Sequence, residues 1–178
     1  MQRAEQLLKL AEQEAAELLA GQDADVAAEL LEQIQPERSA KLLGLLAPQV
    51  GADIVEQMEH ESSAAILQQM DAHPAAGLLK QVQDEYAASV LEEIDAVRVG
   101  AIIEQMAPDD AADILSGISQ SRRTLVLKHL DPEAAGELGQ LLRYDPDSAG
   151  GIMNTQFVSL GASDTVEQAI ERIRKQAD

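Results

Sequence analysis

The sequence predicts an all-α protein made of short repeated helices. Two observations carry this: small and apolar residues recur in a fixed pattern every twelve positions, and aromatic residues make up only 2% of the chain. A third, proline at one phase of the pattern, breaks the chain into separate helices rather than one long rod.

Small residues stand twelve apart at Ala28, Ala40, Ala52, Ala64, Ala76, Ala88, Gly100, Ala112, Thr124 and Gly136. Self-similarity at a fixed period is the signature of a repeat architecture. Larger apolar residues follow two, three and six places later, as in Leu30, Leu31 and Ile34, or Ile102, Ile103 and Met106. At about 100° per residue, these positions and the one before the anchor fall within an arc of roughly 160°, the buried face of an amphipathic helix. The opposite side is mostly polar, as in Glu29, Glu32 and Gln33. Met58, Met70 and Met106 stand in core phase and are read as packing residues.

Twelve residues are not a whole number of turns, so one continuous helix would rotate its apolar stripe by about 120° per unit. The helix must therefore break once per repeat. Pro36, Pro48, Pro108 and Pro132 mark the break, each where a first helical turn would begin. Capping residue types often precede this phase (Asp71, Asp95, Ser119, Asp131), and an acid often follows it (Glu37, Glu61, Glu85, Asp109, Glu133). The expectation is about ten helices of roughly eleven residues with tight corners, preceded by a first helix near Glu5 to Leu19. Helices this short are marginal alone and must stack into a superhelix.

The 178 residues include 32 Asp and Glu against 13 Lys and Arg, a formal charge of -19. Such a surface repels phosphate backbones, so nucleic acid is excluded as a partner, and it suits hard cations with oxygen ligands. There is no cysteine, hence no disulfide or thiolate chemistry. No run approaches the ~20 apolar residues of a membrane span, and the charged start lacks a secretory signal pattern. His60, His73 and His129 fall in separate repeats without zinc spacing. No nucleophilic triad, phosphate loop or dinucleotide fingerprint appears, so no enzyme chemistry is expected. The basic stretch "QSRRTLVLKHL" (120–130) is either a contact for acidic neighbours or a solvated patch.

"APDDAADIL" (107–115) raises the sharpest question. Asp109 and Asp113 are one turn apart and should emerge on the solvent side, with Asp110 near the edge of that face. First-turn acids are stabilised by the helix dipole with no metal involved. Alternatively, two carboxylates ~6 Å apart repel by under about 1 kcal/mol in water, or roughly 3 at an effective dielectric near 20, and a divalent cation would relieve this. Backbone carbonyls in the tight turn expected at Gly150 and Gly151 are further candidate ligands.

The repeats "QPERSAKLLGLL" and "APDDAADIL" resemble those of the cytosolic N domain of the MgtE family of magnesium channels and transporters, over about Asp25 to Leu142. The stretch "LLRYDPDSAGGIMNTQFVSLGASDTVEQAIERIRKQ" resembles the junction where that family passes into its first CBS motif. The resemblance implies a right-handed superhelix of about ten short helices over residues 1–142. It also implies a linker and an incomplete CBS segment over 143–178, with "FVSL" as a strand and "DTVEQAIERIR" as a helix capped by Asp164. The chain is then expected to be a fragment of a longer gene product. What the family implies is a cytosolic regulatory domain at the inner face of the plasma membrane. It would sense intracellular Mg²⁺ through Asp109 and Asp113, with Asp110 and Gly150/Gly151 as further candidates, and would gate by docking on CBS domains. The implied partners are the CBS and transmembrane domains of the same homodimeric transporter. The flagellar motor protein FliG has similar short repeats, so a metal-independent interaction module is the alternative.

Overall fold

The computed structural model describes residues 7, 10–144, 148, 160 and 165–177. Every regular element among them is an α-helix. In chain order these are α1 (Glu12–Ala20), α2 (Ala24–Glu32), α3 (Pro36–Leu45), α4 (Pro48–Val55), α5 (His60–Gln69), α6 (Ala72–Leu79), α7 (Asp84–Glu93), α8 (Ala96–Ile103), α9 (Pro108–Gly117), α10 (Gln120–Leu127), α11 (Pro132–Leu141) and α12 (Val166–Ala177).

The expected all-helical repeat is present, and its phase explains the core. Proline occupies the first turn of α3, α4, α9 and α11. There its missing N–H costs no hydrogen bond. Most anchor, preceding and apolar positions form one continuous buried cluster from Leu7 to Leu141, the anchors Thr124 and Gly136 being exposed. Asp95, Ser119 and Asp131 cap α8, α10 and α11 with their side chains, whereas Asp71 makes no such bond to α6.

Helices of odd number pack most extensively on odd neighbours, α1 on α3 and so on to α11, and even helices likewise from α2 to α10, with smaller contacts such as α2 on α3 and α3 on α4 between the two sets. The packing unit is therefore a helix pair of 24 residues, twice the sequence period. Two corner types alternate to produce it. The ten-residue helices α3, α5, α7 and α9 end on an extended apolar residue: Leu46, Met70, Ile94 and Ile118. The eight-residue helices α4, α6, α8 and α10 end instead on a residue still in helical conformation: Glu56, Lys80, Glu104 and Lys128. No described residue has positive φ, so these corners turn without left-handed glycine.

Small residues let the stacks close. A methyl group on Gly117 of α9 would lie 2.8 Å from the Cβ of Ala88 on α7. That is nearer than real Cβ atoms approach, so the α7–α9 spacing depends on this glycine.

Polar side chains then join the two stacks. Glu32, Glu56, Gln68, Glu92 and Glu104 stand four places after their anchors. Each accepts from a backbone N–H 27 residues later: those of Glu59, Gln83, Asp95, Ser119 and Asp131. Each bond links the end of one helix to the N-cap of the helix three further on, satisfying donors that helix geometry leaves free. Arg38, Tyr86, Arg98 and Arg122, two places before their anchors, donate in return to carbonyls 28 or 31 residues earlier. The Tyr86 hydroxyl lies 2.6 Å from the Val55 carbonyl, 2.9 Å from that of Met58 and 2.8 Å from the buried Ser63 Oγ. Burial pushes this hydroxyl above its ordinary pKa of 10, with Glu32, Glu56 and Glu59 adding to the effect. His60 meets the Tyr86 ring edge-on at 4.7 Å, a packing role.

Two expectations are corrected. The first helix is not continuous from Glu5 to Leu19: Leu10 is a bend, Ala11 is extended, and α1 begins at Glu12. The physical reason is that the repeat reaches one unit further back, with Ala15, Ala16 and Leu19 buried at its usual phases. The cap of the last helix also sits one residue later than expected. Thr165 and Gln168 exchange hydrogen bonds as a reciprocal capping box, because the Gln168 side chain reaches back to the Thr165 N–H. The expected strand "FVSL", Asp164, Gly150 and Gly151 lie outside the described residues.

Candidate metal site

The first turns of α3, α5, α7, α9 and α11 carry Glu37, Glu61, Glu85, Asp109 and Glu133, each 24 residues from the next. The even helices α4, α6, α8 and α10 carry no acid there. One stack thus presents a line of carboxylates at its helix N-termini, where the macrodipole favours negative charge. Three aspartates of α9 crowd the densest part of that line.

The three differ in environment. Asp113 is exposed, as expected, and opens onto a groove of about 330 Å³ between α7 and α9, which Asp84, Glu85, Glu92 and Ser116 also line. Partial burial, and then the negative charges of Asp84, Asp109 and Asp110, raise its carboxyl pKa above the ordinary 3.8. Asp109 is more covered than the solvent-side expectation: its Oδ1 is enclosed and has no hydrogen-bond partner. Asp110 is held by Lys80, whose Nζ lies 2.5 Å from Oδ2. Asp110 in turn raises the Lys80 ammonium above its ordinary pKa, with a smaller contribution from Asp109.

An orphaned carboxylate oxygen with a second carboxylate one turn away and Asp84 and Asp110 close by is the donor chemistry a hard divalent cation satisfies. Among the described residues, no three His, Cys, Asp or Glu side chains converge into a complete cage. Asp109 and Asp113 therefore offer a hard divalent cation two carboxylates but no closed cage. Asp84 escaped the sequence reading. It lies on α7, 29 residues before Asp113, and the recurrence of first-turn acids on every second helix was the signal that would have brought α7 and α9 together.

A two-layered stack of helix pairs, stapled by polar end contacts and carrying one acidic edge, defines an α-solenoid domain. The sequence profile of the MgtE intracellular N domain matches residues 1–78 and 52–147. The chain belongs to that family. It is 48% identical over 44 residues to the magnesium transporter MgtE of Enterococcus faecalis (strain ATCC 700802 / V583), a match covering 25% of this chain and 10% of that protein. Its fold resembles the crystal structure of the cytosolic domain of the Mg²⁺ channel MgtE in complex with ATP. The TM-score is 0.69 with 26% identity, over 84% of this chain and 61% of that one. It also resembles the crystal structure of the soluble part of a magnesium transporter, with TM-score 0.64 and 25% identity over 87% and 62% of the two chains. The chain thus spans about three-fifths of these solved structures.

Proposed function

We propose that this chain is the regulatory, Mg²⁺-sensing cytosolic portion of a magnesium transporter. The observation that carries the reading is the enclosed, partnerless Oδ1 of Asp109 next to Asp113, whose carboxyl is raised by partial burial and then by its negative neighbours. Mg²⁺ at these carboxylates neutralises repulsion and lets the acidic edge approach a second acidic surface. In this reading that surface belongs to CBS domains of the same transporter, and docking there favours a closed pore. When Mg²⁺ is scarce, repulsion swings the solenoid away, which makes the domain a two-state switch biased by a cation. Asp110 and the Gly150/Gly151 carbonyls are secondary candidate ligands. A homodimeric transporter would present two such switches, at the cytosolic face of the membrane.

The test is limited proteolysis of the complete transporter with and without Mg²⁺. Asp109→Ala/Asp113→Ala should abolish the Mg²⁺-dependent protection of the junction after residue 142. Protection equal to that of the unaltered protein would rule these residues out.

A further inference from the structure

At one junction of the solenoid the polarity of the end contacts is reversed. At three other junctions, α4 to α7, α5 to α8 and α7 to α10, the residue four places after the anchor is Glu or Gln accepting from an N-cap N–H, and the residue two before the anchor is Arg or Tyr donating to a carbonyl. Between α6 and α9 the same two positions hold Lys80 and Asp110, a cation facing an anion. Lysine cannot accept a hydrogen bond, and aspartate has no proton to donate to a carbonyl. The exchange puts an ammonium at the acidic start of α9, against Asp110 and within electrostatic reach of Asp109.

The geometry points to Lys80 as an internal counter-charge that sets the divalent-cation concentration at which the Asp109/Asp113 site fills. This inference rests on the reading of those residues as the cation site. With Lys80 in place, an arriving divalent cation meets a local positive charge, and Asp110 is engaged by its ion pair rather than free to add its own field. Removing the ammonium releases Asp110 and strips away that repulsion, both of which favour the cation. The Lys80 side chain is 53% exposed, so it can be replaced without opening the core.

The experiment is Mn²⁺ binding to this chain, with free Mn²⁺ read by electron paramagnetic resonance. Lys80→Gln should bind about fivefold tighter than the unaltered chain, the scale of one exposed charge pair. Lys80→Arg keeps the charge and should bind within about twofold of it. Lys41→Gln removes the same charge beside Glu12, away from α9, and should also leave the affinity unchanged. An unchanged or weaker affinity for Lys80→Gln overturns the role of Lys80. So does an equal gain from Lys41→Gln, which would mark an effect of net charge alone. Asp109→Asn/Asp113→Asn separates the two levels of the argument. If it loses binding, the site stands and the lysine variants decide the inference. If it binds as the unaltered chain does, the site and the inference fall together.

Discussion

Tyr86→Phe tests whether the polar contacts between helix ends hold the solenoid together. The hydroxyl has one proton, so it donates to the Val55 or the Met58 carbonyl, at 2.6 and 2.9 Å, while sharing a bond with Ser63 Oγ at 2.8 Å. Phenylalanine keeps the ring and its edge contact with His60 but removes one donated and one shared bond. At a net ~0.5–1.5 kcal/mol per bond, the loss should be about 1–3 kcal/mol. For a chain of this size that corresponds to a fall in Tm of about 2–12 °C. Thermal and urea unfolding followed by circular dichroism give the number. The raised pKa fixes the pH dependence. Because the neutral hydroxyl is favoured by folding, its contribution is complete below the ordinary value of 10 and is lost as pH rises through the folded value. The penalty of the variant should therefore be full at neutral pH and shrink only in strong alkali. A double-mutant cycle with Ser63→Ala should show coupling of at least about 0.5 kcal/mol. A Tyr86→Phe chain as stable as the parent, with additive cycle energies, would refute the idea that this hydroxyl staples α4, α5 and α7.

Two further predictions concern the α7–α9 groove. Gly117→Ala places a methyl 2.8 Å from the Ala88 Cβ and should cost about 1–3 kcal/mol of stability to urea. Adding Ala88→Gly should recover part of that loss; if it deepens it instead, the close approach is not what limits the packing. Asp113→Asn should stabilise the chain at neutral pH by under about 1 kcal/mol, since the carboxylate is exposed and its repulsions are screened. The raised folded pKa means that the protonated form is the one folding favours. Stability from this group is complete below about 3.8 and is lost as pH rises, so the advantage of asparagine should vanish in acid. Thermal melts at neutral and acid pH check this, and a variant less stable than the parent at neutral pH would contradict the assigned repulsion.

Much of the architecture was legible in the chain because burial follows helical phase directly. The apolar positions after each anchor, from Leu30 and Leu31 to Ile114 and Leu115, are buried, and the proline phase marks helix starts. Which helix lies against which was less legible, because the twelve-residue units of both stacks share one apolar pattern. Parity is written in the conformation of corner residues such as Met70 and Lys80, which depends on tertiary contacts rather than residue type. Glu32, Glu56, Gln68, Glu92 and Glu104, four places after their anchors, read as solvated polar positions. Their role as caps appears only once a helix three further on is brought beside them. At the candidate site, the pairing of Asp109 with Asp113 follows from spacing on one helix, whereas Asp84 and Lys80 enter from α7 and α6. For Asp84 the only signal was the 24-residue recurrence of first-turn acids, and for Lys80 there was none.

The alternation of corners also constrains how such a chain can change length. Losing or gaining a single twelve-residue unit would shift every later helix to the opposite layer, and the row of carboxylates would cross from one flank to the other partway along. Insertion of a full 24-residue pair would leave both layers and the negative flank in register. Size variation in this architecture should therefore proceed by even steps, with parity protecting the electrostatic face.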